Sequence, residues 1–141
     1  MTTAQEIVEK LDLAPHPEGG YYRRTYRHED GVSGRAFASS IYYLIEQKSF
    51  ALWHRVDADE LWFWHAGAPA VIETGADTKA DETHTMSMDL AAGHKPQLVI
   101  HGNTWQRIRS TGDWTLFSSV VSPEFTFETL DLHIEGRPAD T

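Results

Sequence analysis

Cysteine is absent from the 141 residues. A disulfide framework, a thiolate nucleophile and a thiolate-ligated zinc are therefore excluded, and a cytoplasmic location is permitted and expected. Long apolar runs are missing too. Nothing approaches the roughly 20 residues that a membrane helix needs, and the start, MTTAQEIVEKLDL, lacks the basic and then apolar stretches of a signal peptide. Basic residues are scarce: 12 Lys and Arg face 21 Asp and Glu, for a formal charge of −9. Such a surface repels a phosphate backbone, and the one basic cluster, Arg23, Arg24 and Arg27, alternates with tyrosines and reads as a strand face. Nucleic-acid and membrane partners are set aside. No repeat, low-complexity stretch or linker divides the chain.

What the chain has is apolar and aromatic content, at 40% and 11%, enough for one packed core. A single domain over residues 1–141 is expected. Thr3 with Glu6 has the form of a capping box and opens a helix over about 3–12, with Ile7, Val8 and Leu11 on one face. Pro15 and Pro17 stop it, and His16-Pro17-Glu18-Gly19-Gly20 makes a rigid turn. From there to about residue 121 short strands alternate with turn signals, the pattern of an all-β sandwich or barrel. Expected strands are Tyr21 to Arg27, Ala36 to Ile45, Phe50 to Arg55, Glu60 to Ala66 and Ala70 to Thr74. Thr83 to Leu90 follows, with Met86, Met88 and Leu90 on one side, then Gln97 to Ile100, Thr104 to Arg109 and Trp114 to Val121. Residues 122–134 read as a closing segment packed across the barrel, and 135–141 as frayed.

The most informative stretch runs from His54 to Gly67. A His leaves one strand, an acidic turn follows, and Glu60 opens the next strand. If the two strands pair as a hairpin, His54 and Glu60 meet inside the barrel. Strand alternation from Glu60 puts Trp62 and Trp64 on its side and His65 on the other. Gln97, an amide on the apolar strand Leu98-Val99-Ile100, is expected to find its partners in the lumen.

These residues resemble the first motif of the cupin superfamily, a His, a second His two residues on, a Glu and then a Gly. The match is at His54, Glu60 and Gly67, with Val56 in place of the second His. GHKPQLVIHGNTWQ resembles the second motif, with Asn103 at a turn position usually held by Gly and Gln106 at the position of its His. The whole chain is similar to one branch of the cupins, small standalone proteins like the dTDP-sugar epimerases (RmlC-like) in fold. The likeness is carried by His16-Pro17-Glu18-Gly19-Gly20-Tyr21-Tyr22, Ser40-Ile41-Tyr42-Tyr43-Leu44, His54-Arg55 with Asp59-Glu60-Leu61-Trp62, Pro96-Gln97, Trp105-Gln106 and Ser122-Pro123-Glu124-Phe125. It implies a cupin jelly-roll barrel with a short N-terminal helix, a homodimer, and a polar pocket for a small molecule.

Three functions compete. A metal-independent isomerase or epimerase on a sugar-like or acidic molecule would use His54 as base, tuned by Glu60 or Asp59, with Tyr22, Tyr42 or Tyr43 as acid. No cofactor is then expected. A metal-dependent dioxygenase or isomerase would place a divalent metal at His54 and Glu60. His84, His94 and His101 read as exposed strand or turn residues rather than further ligands. A non-catalytic module would hold its ligand against Trp62, Gln97, Trp105 and Gln106. Trp53 and Trp114 read as core or dimer interface. The turn carrying Glu18, Gly19 and Gly20 reads chiefly as a device that aims the first strand.

Overall fold

The computed structural model describes residues 2–48 and 51–133. The expected strand start at Phe50, and everything from Ile134 on, lie outside them. Helix α1 (Ala4–Lys10) starts as its capping box predicts: the Thr3 hydroxyl accepts the Glu6 amide at 3.2 Å. At seven residues it is too short to be stable alone. Burial of Ile7 with Leu13 against Leu44 and Trp114 holds it to the barrel.

Among the described residues thirteen strands follow: β1 (Ala14–Pro15), β2 (Tyr21–Arg27), β3 (Gly31–Val32), β4 (Arg35–Ala36), β5 (Ser39–Glu46), β6 (Ala51–Arg55), β7 (Asp59–Gly67), β8 (Ala70–Gly75), β9 (Glu82–Met86), β10 (Gln97–Ile100), β11 (Trp105–Ser110), β12 (Trp114–Ser122) and β13 (Asp131–Leu132). They form a six-stranded sheet, β1-β2-β5-β12-β7-β10, and a five-stranded sheet, β13-β6-β11-β8-β9, with β3 and β4 as a separate hairpin. This is a jelly roll. One half of the space between the sheets is filled by Tyr43, Trp62, Ile72, Met86, Ile108 and Phe117. The other half holds polar side chains. No helix among the described residues is long and apolar enough to cross a membrane.

Three expectations change. The alternation over Thr83 to Leu90 stops at Met86, and Met88 and Leu90 are exposed. Polar side chains turn the chain there: Ser87 Oγ accepts the Asp89 amide and meets His94 Nδ1 at 2.8 Å, while Asp89 caps the Ala92 amide. The strand expected from Ala36 to Ile45 is broken between β4 and β5. Most relevant to function, β6 and β7 are not hairpin partners. They lie in opposite sheets, so His54 and Glu60 approach one lumen from two sides. The turn at His101-Gly102-Asn103 has Asn103 at φ 65°, the left-handed conformation that Asn tolerates.

Candidate functional site

Strand register decides which side chains enter the lumen. On β6, His54 pairs with Gln106 of β11, and both point inward. On β7, Glu60 pairs with Val121 of β12 and Ile100 of β10, and Glu60 and Trp62 point inward. Ser119 enters from β12. Together with the 16–20 turn and the 124–127 segment, these strands enclose a cavity of about 310 Å³.

The partner of His54 is Glu18, not Glu60 or Asp59. His54 Nε2 lies 2.8 Å from Glu18 Oε2, and Nδ1 lies 2.7 Å from the Leu52 carbonyl oxygen. Because a carbonyl only accepts, Nδ1 carries a proton. Burial alone opposes a charge on this ring, but the Glu18 carboxylate outweighs it, helped by the charge of Glu60. The His54 pKa rises from 6.5 to about 9. At neutral pH His54 is an imidazolium with both N–H groups engaged. Burial raises the Glu18 pKa and the His54 charge lowers it, with a net lowering. Asp59 points outward, where it accepts the Gly102 amide.

Glu18 reaches the lumen because of its turn. The His16 amide bonds the Gly20 carbonyl, and the Glu18 carbonyl accepts the Leu52 amide at 2.7 Å, docking the turn onto β6. Gly20 has φ 75°, and a Cβ there would sit 2.7 Å from the Leu44 carbonyl oxygen, so the close approach requires glycine. Tyr43 fixes the turn from below, donating to the Gly19 carbonyl at 2.6 Å. The turn therefore does more than aim a strand. An acid between Pro17 and Gly19 reads locally as solvated; only the left-handed glycines hint that it folds back.

Glu60 is also buried, yet its hydrogen-bond partners are neutral. Gln106 Nε2 donates to Oε1 at 2.7 Å and Ser119 to Oε2 at 2.6 Å. Trp62 sets the Gln106 amide, since the indole N–H can only donate and meets Gln106 Oε1 at 3.0 Å. Burial and the Glu18 charge push the Glu60 pKa up, against the pull of His54. His16 forms another part of the wall. Its Nδ1 accepts the Glu18 amide at 3.1 Å, and burial lowers its pKa. Ile41, Val56, Val121, Phe125 and Phe127 give the cavity an apolar part of its lining. Arg24 also lines the cavity and bonds Glu124 at 3.0 Å and the Phe125 carbonyl at 3.0 Å.

Other expected residues fall elsewhere. Gln97 is exposed on the outer side of β10, because Leu98 and Ile100 take the inward positions. Trp105 is buried but faces outward, beneath Arg55, whose guanidinium carbon is 4.9 Å from the ring centre; Arg107 covers Trp53 in the same way. Trp62 belongs to the core under Gln106 rather than to the cavity surface. Among the tyrosines, Tyr22 lines the cavity, Tyr43 lies under the turn, and Tyr42 packs outside with α1. His65 is exposed and bonds Ser118, and Trp114 packs with α1. His101 is exposed, whereas His84 and His94 are half-buried beside Thr74 and Ser87.

A metal at His54 and Glu60 needs about three ligands with free lone pairs. Both His54 nitrogens are committed to Leu52 and Glu18, Val56 and Gln106 stand at the other motif positions, and Glu60, whose oxygens keep lone pairs beside their donors, is the one motif ligand left. No group of three or more His, Asp or Glu side chains among the described residues is arranged to hold a metal ion. The side chains present do not fit a metal centre.

A search of curated proteins finds no match. Among solved structures, the chain is similar to protein SO0799 from Shewanella oneidensis, with TM-score 0.88 and 34% identity over 94% of this chain and 85% of that one. It is similar to a hypothetical protein from Leishmania major, with TM-score 0.81 and 26% identity over 94% and 88%. An oxalate decarboxylase from Bacillus subtilis shares the fold alone, at TM-score 0.62 and 13% identity over 86% of this chain and 30% of that one. The model of the family described as Cupin superfamily (DUF985) matches residues 5–133. Two opposed sheets around a polar lumen, with His54 and Glu60 at motif positions, are thus the local form of a shared design, and the chain belongs to the cupin superfamily.

Proposed function

We propose that the cavity binds a small hydroxyl-rich, sugar-like molecule and carries out isomerase- or epimerase-type proton transfer without a metal. The observation that carries this reading is Glu60: a buried carboxyl with raised pKa, held by two neutral donors and facing a cavity of small-molecule size. Such a group exchanges a proton near neutral pH more readily than an ordinary surface carboxylate. Its Oε1 receives an N–H, so a proton taken up by Glu60 sits on Oε2, the atom it shares with the rotatable Ser119 hydroxyl. His54 is not the base that the motif suggests. As an imidazolium tied to Glu18 it supplies fixed positive charge beside Glu60. The carboxylates and the Ser39, Ser40 and Ser119 hydroxyls favour a ligand rich in O–H donors over an acidic one.

The test is to incubate the protein with a panel of aldoses, ketoses and sugar acids in D2O and follow C–H signals next to the carbonyl by proton NMR. Exchange that disappears in Glu60→Gln supports the reading. Saturable binding without exchange would make the protein a binding module, and neither result with any compound would sink the proposal.

The reading includes a homodimer. Val99, Leu61 and Val120 stand in register across β10, β7 and β12 on the outer face of the six-stranded sheet, with β10 at its edge. Val99 is 49% exposed, and Met88 and Leu90 are exposed too. A second copy laid on this face would cover the apolar row.

A further inference from the structure

His16 keeps one ring nitrogen outside the pairings of the lumen. His16 is 7% exposed, and its ring lies in the cavity wall among Tyr22 at 4.6 Å and Phe125 and Phe127 at 5.8 Å, centre to centre. Its Nδ1 accepts the Glu18 backbone amide. A neutral imidazole that accepts at one nitrogen must carry its proton on the other. No hydrogen-bond partner for Nε2 is found among the described residues. Burial is the main opponent of a second proton on the ring; the Glu18 carboxylate, with Oε1 3.8 Å from Nδ1, pulls the other way, the His54 imidazolium adds to the opposition, and the net shift of the His16 pKa is downward. An N–H donor whose tautomer is set by the backbone, on a residue only 7% exposed, thus stands in the wall of the cavity that also holds Glu60, with no protein acceptor among the described residues and open to a ligand.

We infer that His16 is a substrate-binding residue whose Nε2–H donates to the carbonyl oxygen of an α-hydroxy carbonyl compound bound beside Glu60. This rests on the proton-transfer reading above and narrows its substrate class. The C–H bond next to the carbonyl breaks, its proton passes to Glu60 Oε2, and the electron pair moves onto the carbonyl oxygen. The resulting enediolate oxygen is stabilised by the His16 N–H, which stays on the ring. Return of the proton from Glu60 to carbon reverses the step, so no oxidant, reductant or co-reactant is needed. A neutral imidazole suits this role better than an imidazolium, because it polarises the oxygen without handing over its proton early.

Two measurements test the inference separately from the turnover assay. The first is a long-range proton–nitrogen NMR spectrum of the wild-type protein at about neutral pH. The expected pattern is a neutral Nε2–H tautomer for His16 beside an imidazolium for His54. An Nδ1–H tautomer or a charged His16 would overturn the assignment. The second is titration with glycolohydroxamate, a small mimic of an enediolate. The His16 Nε2 signal is expected to shift on binding. His16→Phe, which keeps the ring packing but has no donor, is expected to bind roughly tenfold more weakly, the size of one lost buried hydrogen bond. His16→Phe also strands the Glu18 amide, so His16→Asn is the second variant. Its side-chain oxygen can take the Nδ1 place while nothing replaces Nε2, and the same loss is expected. Equal affinity in a folded variant, or no binding by the wild type, would overturn the substrate class. Binding that shifts His16 with no exchange of any sugar would instead sink the catalytic reading and leave the His16 assignment standing.

Discussion

His54 Nε2 stands 2.8 Å from Glu18 Oε2 in the barrel interior, and this pair ties the 16–20 turn to β6. Its pH dependence follows from sign. The folded His54 pKa, about 9, exceeds the ordinary 6.5, so the stabilisation is full below pH 6.5 and is lost as pH rises through about 9. That gap corresponds to a ceiling of about 3 kcal/mol. Glu18, with its pKa lowered, works the other way and loses its contribution as pH falls below the ordinary carboxylate range. Urea denaturation across this window is expected to show a falling midpoint from mildly acid to alkaline pH. Glu18→Gln is expected to flatten the profile and to cost about 3–5 kcal/mol at its acid end, since it leaves a buried charge unpaired. A flat wild-type profile would mean that the pair is not ionised.

Glu60 presents the opposite balance. Its raised pKa means that the folded state resists its ionisation, so Glu60 weakens the fold increasingly above the ordinary glutamate pKa. Glu60→Gln keeps the shape and a partner for both Gln106 and Ser119. It is expected to raise the melting temperature at mildly alkaline pH while lowering any exchange activity by roughly a hundredfold or more. Loss of both stability and activity would identify Glu60 as structural only.

Gly20→Ala tests how Glu18 is delivered. A left-handed φ with a backbone oxygen 2.7 Å from the new Cβ is expected to cost about 1–3 kcal/mol in denaturant melts. More tellingly, the turn should lift from β6, and the His54 pKa read by NMR should fall back toward 6.5. An unchanged His54 titration would mean that Glu18 keeps its place without the glycine.

The 124–127 segment, part of the cavity lining, is held by Glu124, which accepts Arg24, Arg27 and the Ala36 amide. The Arg27 hydrogen bond comes first among the causes that bring the Glu124 pKa down to about 2. Glu124→Gln weakens these bonds and is expected to speed chymotrypsin cleavage at Phe125 and Phe127 roughly tenfold under native conditions. Unchanged cleavage would show that apolar packing alone holds the segment.

Sedimentation at working concentration tests the second copy. The expected mass is twice 16.0 kDa, and Leu61→Lys is expected to shift it to the monomer without unfolding the barrel. A wild-type monomer would reject the dimer.

Most strands and the helix start were legible in the local pattern, and so were three of the lumen residues. Short alternating runs specify strands, Thr3 and Glu6 specify where the helix starts, and alternation from Glu60 puts Trp62 inside and His65 outside. His54, Glu60 and Gln106 were legible as lumen residues because they occupy motif positions. Alternation was also sufficient to place Gln97 outside, since its neighbours Leu98 and Ile100 claim the core; the rule that amides need partners is met as well by water as by a lumen. Tertiary structure alone decided the pairings. Glu18 is distant from His54 in sequence, and a local pattern carries no information about which carboxylate an imidazole will meet when strands from two sheets and a glycine turn converge. The same convergence gives His54 its charge and Glu60 its raised pKa. Those properties belong to burial and to neighbours, not to residue types.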